Sequence, residues 1–238
     1  MTNMPETPEP ISTLIVPTLN GHKRLANMID SIDFAVNNLL IIDNGASKGA
    51  TWDLCHIYDN ANVYKTHTIS LPSNLGVAAS WNLGIKLTPF SEYWCIVNDD
   101  VTFEPGALEV LAASSGGGNL ALPDSPQPFS AFTIGEDVVD AVGLFDEIFY
   151  PAYFEDTDYK RRVQTHMGSE AFVYTRARIN HHNSSTIGSD AALMAANHDT
   201  YRNNSDSFNC KTALNDFGTV GWQLGRRREN DWKTNGTF

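Results

Sequence analysis

Three short apolar runs, each cut off by polar residues, constrain this chain more than any other feature. They are residues 11–16 (ISTLIV) before Pro17 and Thr18, 38–43 (NLLIID) before Asn44 and Gly45, and 93–97 (YWCIV) before Asn98, Asp99 and Asp100. Runs of this length bounded by turn residues read as buried strands. Helical spacing predicts helices over 22–32, 50–58 and 75–87, with a weaker strand over 63–71, and Pro105 opens a further helix. Strand and helix alternate, which argues for an α/β fold with a central, mostly parallel twisted sheet and helices on both faces. In such sheets ligands bind at the carboxyl ends of the strands. Thr18 and Asn20, Asp43 and Asn44, and residues 98–100 all fall at those ends.

The second half is less regular. Residues 114–119 (SSGGGN) and 122–128 (LPDSPQP) read as loops. The segment 129–134, a helix over 136–142, an aromatic segment over 149–154 and a helix from Glu155 follow. A strand over 172–179 runs into His181 and His182, and the polar segment from Ser189 carries a helix over 191–202.

Charge narrows the partners. Acidic residues number 28 and basic ones 16, a net charge of -12, so phosphate-rich nucleic acid is repelled and no nucleic-acid partner is expected. The cluster Arg226, Arg227 and Arg228 reads as a solvated tail or a patch for an anionic partner. Three cysteines without a CxxC pair argue against a disulfide scaffold and for a reducing, cytoplasmic setting. No apolar run approaches the ~20 residues of a membrane helix, so an integral membrane segment is not expected. Residues 1–10 (MTNMPETPEP) read as a flexible tail without the apolar stretch of a signal peptide.

Several segments carry oxygen ligands or proton acceptors, and each has a plainer alternative. Asn98, Asp99 and Asp100 suit a hard divalent cation shared with substrate phosphates, or a polar turn capping the next helix. Glu155, Asp156 and Asp158 supply a general base, or complement a helix dipole in its first turn. His181 and His182 complete a metal site, or serve structure alone. Gly76, Ala78 and Ala79 admit a ligand, or allow tight packing of helix on sheet.

Taken in order, these segments resemble the inverting family 2 glycosyltransferases of the GT-A fold, especially the rhamnosyltransferase-like subgroup. The resemblance spans about residues 11–186. It is carried by Ile15-Val16-Pro17-Thr18-Leu19-Asn20, Ile41-Ile42-Asp43-Asn44-Gly45, Asn74-Leu75-Gly76 with Asn82-Leu83-Gly84, and Val97-Asn98-Asp99-Asp100-Val101. Downstream it continues through Val142-Gly143-Leu144-Phe145-Asp146-Glu147, Tyr153-Phe154-Glu155-Asp156-Thr157-Asp158, and His181-His182 before Ser185-Thr186.

The resemblance implies transfer of a sugar, with inversion, from a pyrimidine nucleotide-diphosphate sugar such as dTDP-rhamnose or a UDP-hexose. The acceptor is a hydroxyl on a glycan, a lipid-linked sugar or a protein. Pro17, Thr18 and Asn20 would line the nucleotide pocket, Asp43 would accept a hydrogen bond from the base, Asn74 and Gly76 would lie against the nucleotide, and Asn82 near the donor sugar. Asp100 would bind Mn²⁺ or Mg²⁺ together with His181, with His182 as the alternative, and Asp156 would be the catalytic base beside Glu155. Where the family often has Asp-x-Asp, this chain has Asn98, which leaves Asp100 as the main anionic ligand and Asp99 as a second. Alternation along a strand turns only one of the two histidines to the site. Few basic residues lie near the strand ends, so Arg161, Arg162, Arg176 and Arg178 are the candidates to assist with a diphosphate.

The same reading divides the chain into a tail (1–10), a catalytic domain (11–188) and a C-terminal extension (189–238) on the acceptor side. The catalytic domain splits into a nucleotide-sugar half to about 104 and an acceptor half beyond it. The protein is expected to be soluble, meeting a membrane only through its acceptor. A sugar-phosphate nucleotidyltransferase is disfavoured because residues 17–22 lack a Gly-rich basic loop. A non-catalytic sugar-binding module is disfavoured by the presence of both Asp100 and Asp156.

Overall fold

The computed structural model describes residues 9–45, 60–182 and 191–221. The expected helix over 50–58, the Ser185-Thr186 pair and the arginine cluster at 226–228 lie outside them. In chain order the elements are β1 (Ile11–Thr18), α1 (His22–Asp30), β2 (Val36–Asp43), β3 (Val63–Ser70), α2 (Val77–Leu87), β4 (Tyr93–Val97), β5 (Val101–Phe103) and α3 (Ala107–Ala113). There follow β6 (Leu120–Asp124), β7 (Ala131–Gly135), α4 (Glu136–Val142), α5 (Glu155–His166), β8 (Phe172–His181) and α6 (Ala191–Leu214). The strands form one sheet in the order β3-β2-β1-β4-β7-β6-β8-β5. β3, β2, β1 and β4 run parallel, β7 is antiparallel to both β4 and β6, and β8 returns parallel to β6.

The apolar runs are continuous because both sheet faces are covered. Ile15, Leu40, Ile42, Trp94 and Ile96 face one core, shared with Trp81 and Ile85 of α2, Val138 and Val142 of α4, and Tyr159 and Val163 of α5. Their chain neighbours Leu14, Val16, Leu39, Ile41, Cys95 and Val97 face the other, against Leu25 and Met28 of α1 and Leu108 and Leu111 of α3. The period of two thus divides each run between two hydrophobic layers. Helix α2 sits close on β1: a Cβ on Gly84 would come within 2.5 Å of the Ile15 side chain. That end of the small-residue segment serves packing.

Two expectations are corrected. The segment read as a loop over 122–128 begins inside β6. Pro123 is accommodated there because the β6–β8 register shifts between Leu122 and Asp124, and a proline without an N–H fits at such an irregularity. The C-terminal helix extends to Leu214, twelve residues beyond the expected end. Among the described helices none is long and apolar enough to cross a membrane.

Candidate active site

The carboxyl ends of β1, β2 and β4 open into a cleft of about 730 Å³, a volume suited to a small ligand. Its lining includes Pro17, Thr18, Asn44, Asn98, Asp99 and Asp100 from those ends, together with Asn74, Gly76 and Trp81 around the start of α2. Tyr153, Glu155 and Asp156 enter from the start of α5, and His181 from the end of β8. The far-separated carboxylates Asp100 and Asp156 therefore share one cavity. Asp43 does not itself line it. Buried at the end of β2 opposite Thr18, Asp43 accepts a hydrogen bond from the Gly45 N–H (3.3 Å), and its neighbour Asn44 faces the cleft.

Asp100 and His181 meet across the β5–β8 pairing, with His181 Nε2 3.0 Å from Asp100 Oδ1. On its other side, His181 Nδ1 hydrogen-bonds to Gln127 Oε1. With Nδ1 partnered by Gln127, the ring is oriented with Nε2 toward Asp100, the arrangement by which an outer partner positions a metal-ligating histidine. His182 turns to Thr102 Oγ1 (3.1 Å) and away from Asp100's carboxylate, its backbone N–H donating to the Asp100 carbonyl. One carboxylate and one imidazole suit a divalent cation that keeps water and takes further oxygens from a diphosphate. Among the described residues no group of three His, Cys, Asp or Glu side chains forms a closed metal cage.

Asp99 departs from the role of a second metal ligand. Its carboxylate accepts from Thr18 Oγ1 (2.7 Å) and forms an ion pair with Arg24, Nε and Nη2 each at 3.2 Å. Burial raises its pKa, while the Thr18 and Arg24 contacts pull the other way. Asp99 thus ties the β4–β5 turn to β1 and α1. Arg24, which also lines the cleft, is the basic group that the sequence reading missed. It stands six residues after Thr18, in the first turn of α1. The other candidate arginines are elsewhere: Arg162 is fully buried on the inner face of α5, Arg161 lies over the Phe217 ring, and Arg176 and Arg178 are exposed on β8.

Asn82 is a second correction. It is 1% exposed and does not line the cleft. Its Oδ1 accepts from the Phe145 N–H (2.9 Å), and its Nδ2 donates to the Phe145 carbonyl (2.9 Å) and to Glu147 Oε1 (2.8 Å). The amide is spent on fixing the 145–147 segment against α2. Asn20 is exposed, with φ +55°, and is likewise not in the lining. Asn74 and Gly76 are in it. Gly76 has φ +85°, and a Cβ there would come within 2.9 Å of the Pro151 carbonyl, so this position needs glycine both for its backbone and for its neighbour.

The start of α5 is held under strain. Tyr153 (φ +79°) and Phe154 (φ +74°) both sit in the left-handed region, which costs about 1–3 kcal/mol for each non-glycine residue. Asn204 of α6 supports the bend by donating to the carbonyls of Ala152 (2.8 Å), Tyr153 (3.2 Å) and Tyr150 (3.3 Å). The bend buries Glu155 and leaves Asp156 half-exposed beside it. Asp156 Oδ1 accepts from the Thr157 N–H (2.6 Å) and Oγ1 (3.1 Å). Burial, reinforced by the charge of Asp156, pushes the Glu155 carboxyl up to about 8, against the backbone N–H groups of Glu155 and Tyr153.

A raised carboxyl pKa opposes folding wherever the unfolded chain would ionise. The penalty is absent below the ordinary glutamate value near 4.5, grows as pH rises, and levels off above about 8. Glu155→Gln is therefore expected to stabilise the fold by roughly 2–3 kcal/mol at pH 7 and by nothing at pH 4. Urea denaturation at the two pH values measures this, and an equal effect at both would reject the burial argument.

The family model described as glycosyl transferase family 2 matches residues 13–185. No curated protein matches the chain significantly. Among solved structures, S. aureus TarS 1–349 in complex with UDP is 14% identical, covers 68% of this chain and gives a TM-score of 0.51. GalNAc-T7 with UDP, GalNAc and Mn²⁺ is 11% identical over 74% of the chain, TM-score 0.60. The mannosyltransferase PcManGT of Pyrobaculum calidifontis with GDP-Man and Mn²⁺ is 11% identical over 95% of the chain and 80% of its own, TM-score 0.56. This chain spans 56% of the TarS fragment and 44% of GalNAc-T7. At such identities the likeness is one of fold, the GT-A type. With the family model covering most of its length, the chain belongs to glycosyl transferase family 2.

Proposed function

We propose that the protein transfers a sugar from a pyrimidine nucleotide-diphosphate sugar to an acceptor hydroxyl, with inversion, using Mn²⁺ or Mg²⁺. The carrying observation is the division of labour among the carboxylates of one cleft. Asp99 is paired with Arg24, Asp100 faces His181, and Glu155 is neutral near pH 7. Among the described residues that leaves Asp156 as the lining carboxylate that is neither buried nor in contact with a basic side chain. An in-line displacement needs such a group to take the acceptor's proton as the bond to the anomeric carbon forms.

The diphosphate end of the cleft is served by Asp100, His181 and Arg24. Asp100 and His181 would hold a divalent ion, which would supply charge neutralisation to a departing diphosphate. Arg24, held in place by Asp99, adds a fixed positive charge at the same end of β1 and β4. Pro17, Thr18, Asn44, Asn74 and Gly76 shape the nucleotide side. UDP in two of the structural neighbours, and Mn²⁺ in GalNAc-T7 and PcManGT, support the choice of ligands. The acceptor is a glycan, a lipid-linked sugar or a protein, the last two allowing contact with a membrane or partner surface. Thr200 of α6 lies in the lining, which supports assigning that helix to the acceptor side of the cleft.

A thermal-shift screen of UDP- and dTDP-sugars with and without Mn²⁺ tests the reading. A nucleotide sugar at about 100 times its Kd is expected to add ~2.7 kcal/mol, which is roughly 5–10 °C for a chain of this size. Asp100→Ala is expected to lose the metal-dependent part of that shift. Equal donor affinity for wild type and Asp100→Ala, with and without EDTA, would remove Asp100 from the metal site.

A further inference from the structure

Helix α6 lies beyond residues 13–185, the span that the family model matches. The one buried position in its residues 198–214 is a polar one, Asn204. Its Nδ2 donates to the carbonyls of Ala152 (2.8 Å), Tyr153 (3.2 Å) and Tyr150 (3.3 Å). Burying an amide is unfavourable unless such bonds replace those made to water. Two N–H groups serve three acceptors here, so the amide is fully engaged. The carbonyls belong to the turn in which Tyr153 and Phe154 take positive φ. A backbone of that kind persists only where its surroundings over-determine it.

The residues around Asn204 have the same target. Tyr201, Asn204, Phe208 and Lys211 recur at the three- and four-residue spacing that places side chains on one helix face. Tyr201 packs against the rings of Tyr153 (centroids 5.6 Å apart) and Phe154 (5.1 Å), and Phe208 against Phe154 (5.7 Å). Lys211 pairs with Asp158 at 2.6 Å. The same segment is also fastened to the start of α2. There the Val77 N–H donates to the Pro151 carbonyl (2.7 Å) and the Tyr150 hydroxyl to the Asn74 carbonyl (3.2 Å). Residues 150–154 are thus held between the nucleotide side of the cleft and α6, and Asp156 is the second residue of the helix that follows them. We propose that Asn204 is a positioning residue for sugar transfer: its amide fixes the left-handed bend that presents Asp156 to the cleft, so that α6 completes the site. This rests on the reading of Asp156 as the base.

Turnover and local order test it together. Nucleotide release from a panel of UDP-hexoses and dTDP-rhamnose is followed with Mn²⁺ and methyl pyranoside acceptors. The proteins are wild type, Asn204→Ala, Asp156→Asn, their double variant and Leu111→Ala. Leu111 is buried in the other hydrophobic layer, outside the cleft lining, so its truncation lowers stability alone. Asn204→Ala is expected to lower kcat about 10²-fold, the cost of misplacing a catalytic group by about 1 Å, with calorimetric UDP and dTDP affinity within ~2-fold. In the Asp156→Asn background the same change costs under ~3-fold, because Asn204 acts through Asp156. Amide hydrogen exchange in Asn204→Ala quickens at least about 10-fold over residues 150–158 and is unchanged over 93–103. Leu111→Ala keeps kcat within ~2-fold well below its melting temperature.

Normal turnover in Asn204→Ala, or an equal fall in Leu111→Ala, overturns the proposal and leaves the sugar-transfer reading standing. So does a loss that is undiminished in the Asp156→Asn background, or exchange over 150–158 that does not change. Should Asn204→Ala fail to fold, Asn204→Ser carries the same comparison, since its hydroxyl has one hydrogen for three carbonyls. A wild type that releases no nucleotide from any donor of the panel would instead sink the sugar-transfer reading, and the part of Asn204 in it.

Discussion

Asp156→Asn is expected to lower sugar transfer by about 10²–10⁴-fold, the range over which a positioned general base contributes, while donor affinity stays within ~2-fold. Asparagine preserves the side chain's size and the oxygen that accepts from the Thr157 N–H and hydroxyl, so the first turn of α5 keeps its shape. What it removes is the ability to take a proton. The neighbouring carboxylates are poor substitutes: Glu155 already carries a proton near pH 7, and Asp99 is clamped by Arg24 and Thr18. The loss should appear in kcat with the donor's binding constant unchanged, since the interaction is made only in the transition state. Steady-state transfer and calorimetric donor binding measure the two halves. Turnover within tenfold of wild type would remove Asp156 from the reaction.

The strands that frame this site were legible because a buried parallel sheet needs continuous apolar runs, and 11–16, 38–43 and 93–97 show them without ambiguity. Their polar ends located the cleft before any coordinate did. His181 rather than His182 faces Asp100, as alternation along β8 requires of one of the pair. Other features depend on facts that local pattern does not hold. Arg24 is recognisable as a site residue only through Asp99, 75 positions away. An asparagine in a motif looks the same whether its amide meets a ligand or a backbone, and Asn82 proved to be the second case. The proton on Glu155 comes from burial under a strained bend, and that bend is stabilised by Asn204 on a helix whose polar sequence offered no motif. Pro123 hid a strand because a proline reads as a breaker unless the register slip beside it is known.

The other large effect lies beneath the site. Arg162→Met is expected to destabilise the fold by about 3–5 kcal/mol, the usual cost of removing one partner from a buried ion pair. Arg162 and Asp158 are both fully buried, joined by Nε–Oδ2 at 2.8 Å, and Arg162 Nη1 also donates to the Val142 carbonyl (2.8 Å). Asp158 is held from the other side by Lys211 of α6 at 2.6 Å, and Lys211 reaches Asp146 at 2.8 Å. Burial works against the Lys211 ammonium, but the two carboxylates more than offset it and its pKa is raised. With Arg162 gone, Asp158 keeps one cation, and the Val142 carbonyl keeps only the longer bond from the Val220 N–H (3.2 Å). The double variant Arg162→Met with Asp158→Leu removes the uncompensated charge and should recover much of the loss, because replacing both members of a buried pair by apolar groups is often near neutral. Urea denaturation of the two variants separates these cases, and a single-variant loss below ~1 kcal/mol would show that the pair contributes little. Asp158 lies two residues from Asp156 on α5, and its other partner is on the helix that carries Thr200 and Asn204. The network therefore joins the proposed base to the C-terminal helix, and loosening it should lower transfer even in the variant that regains stability.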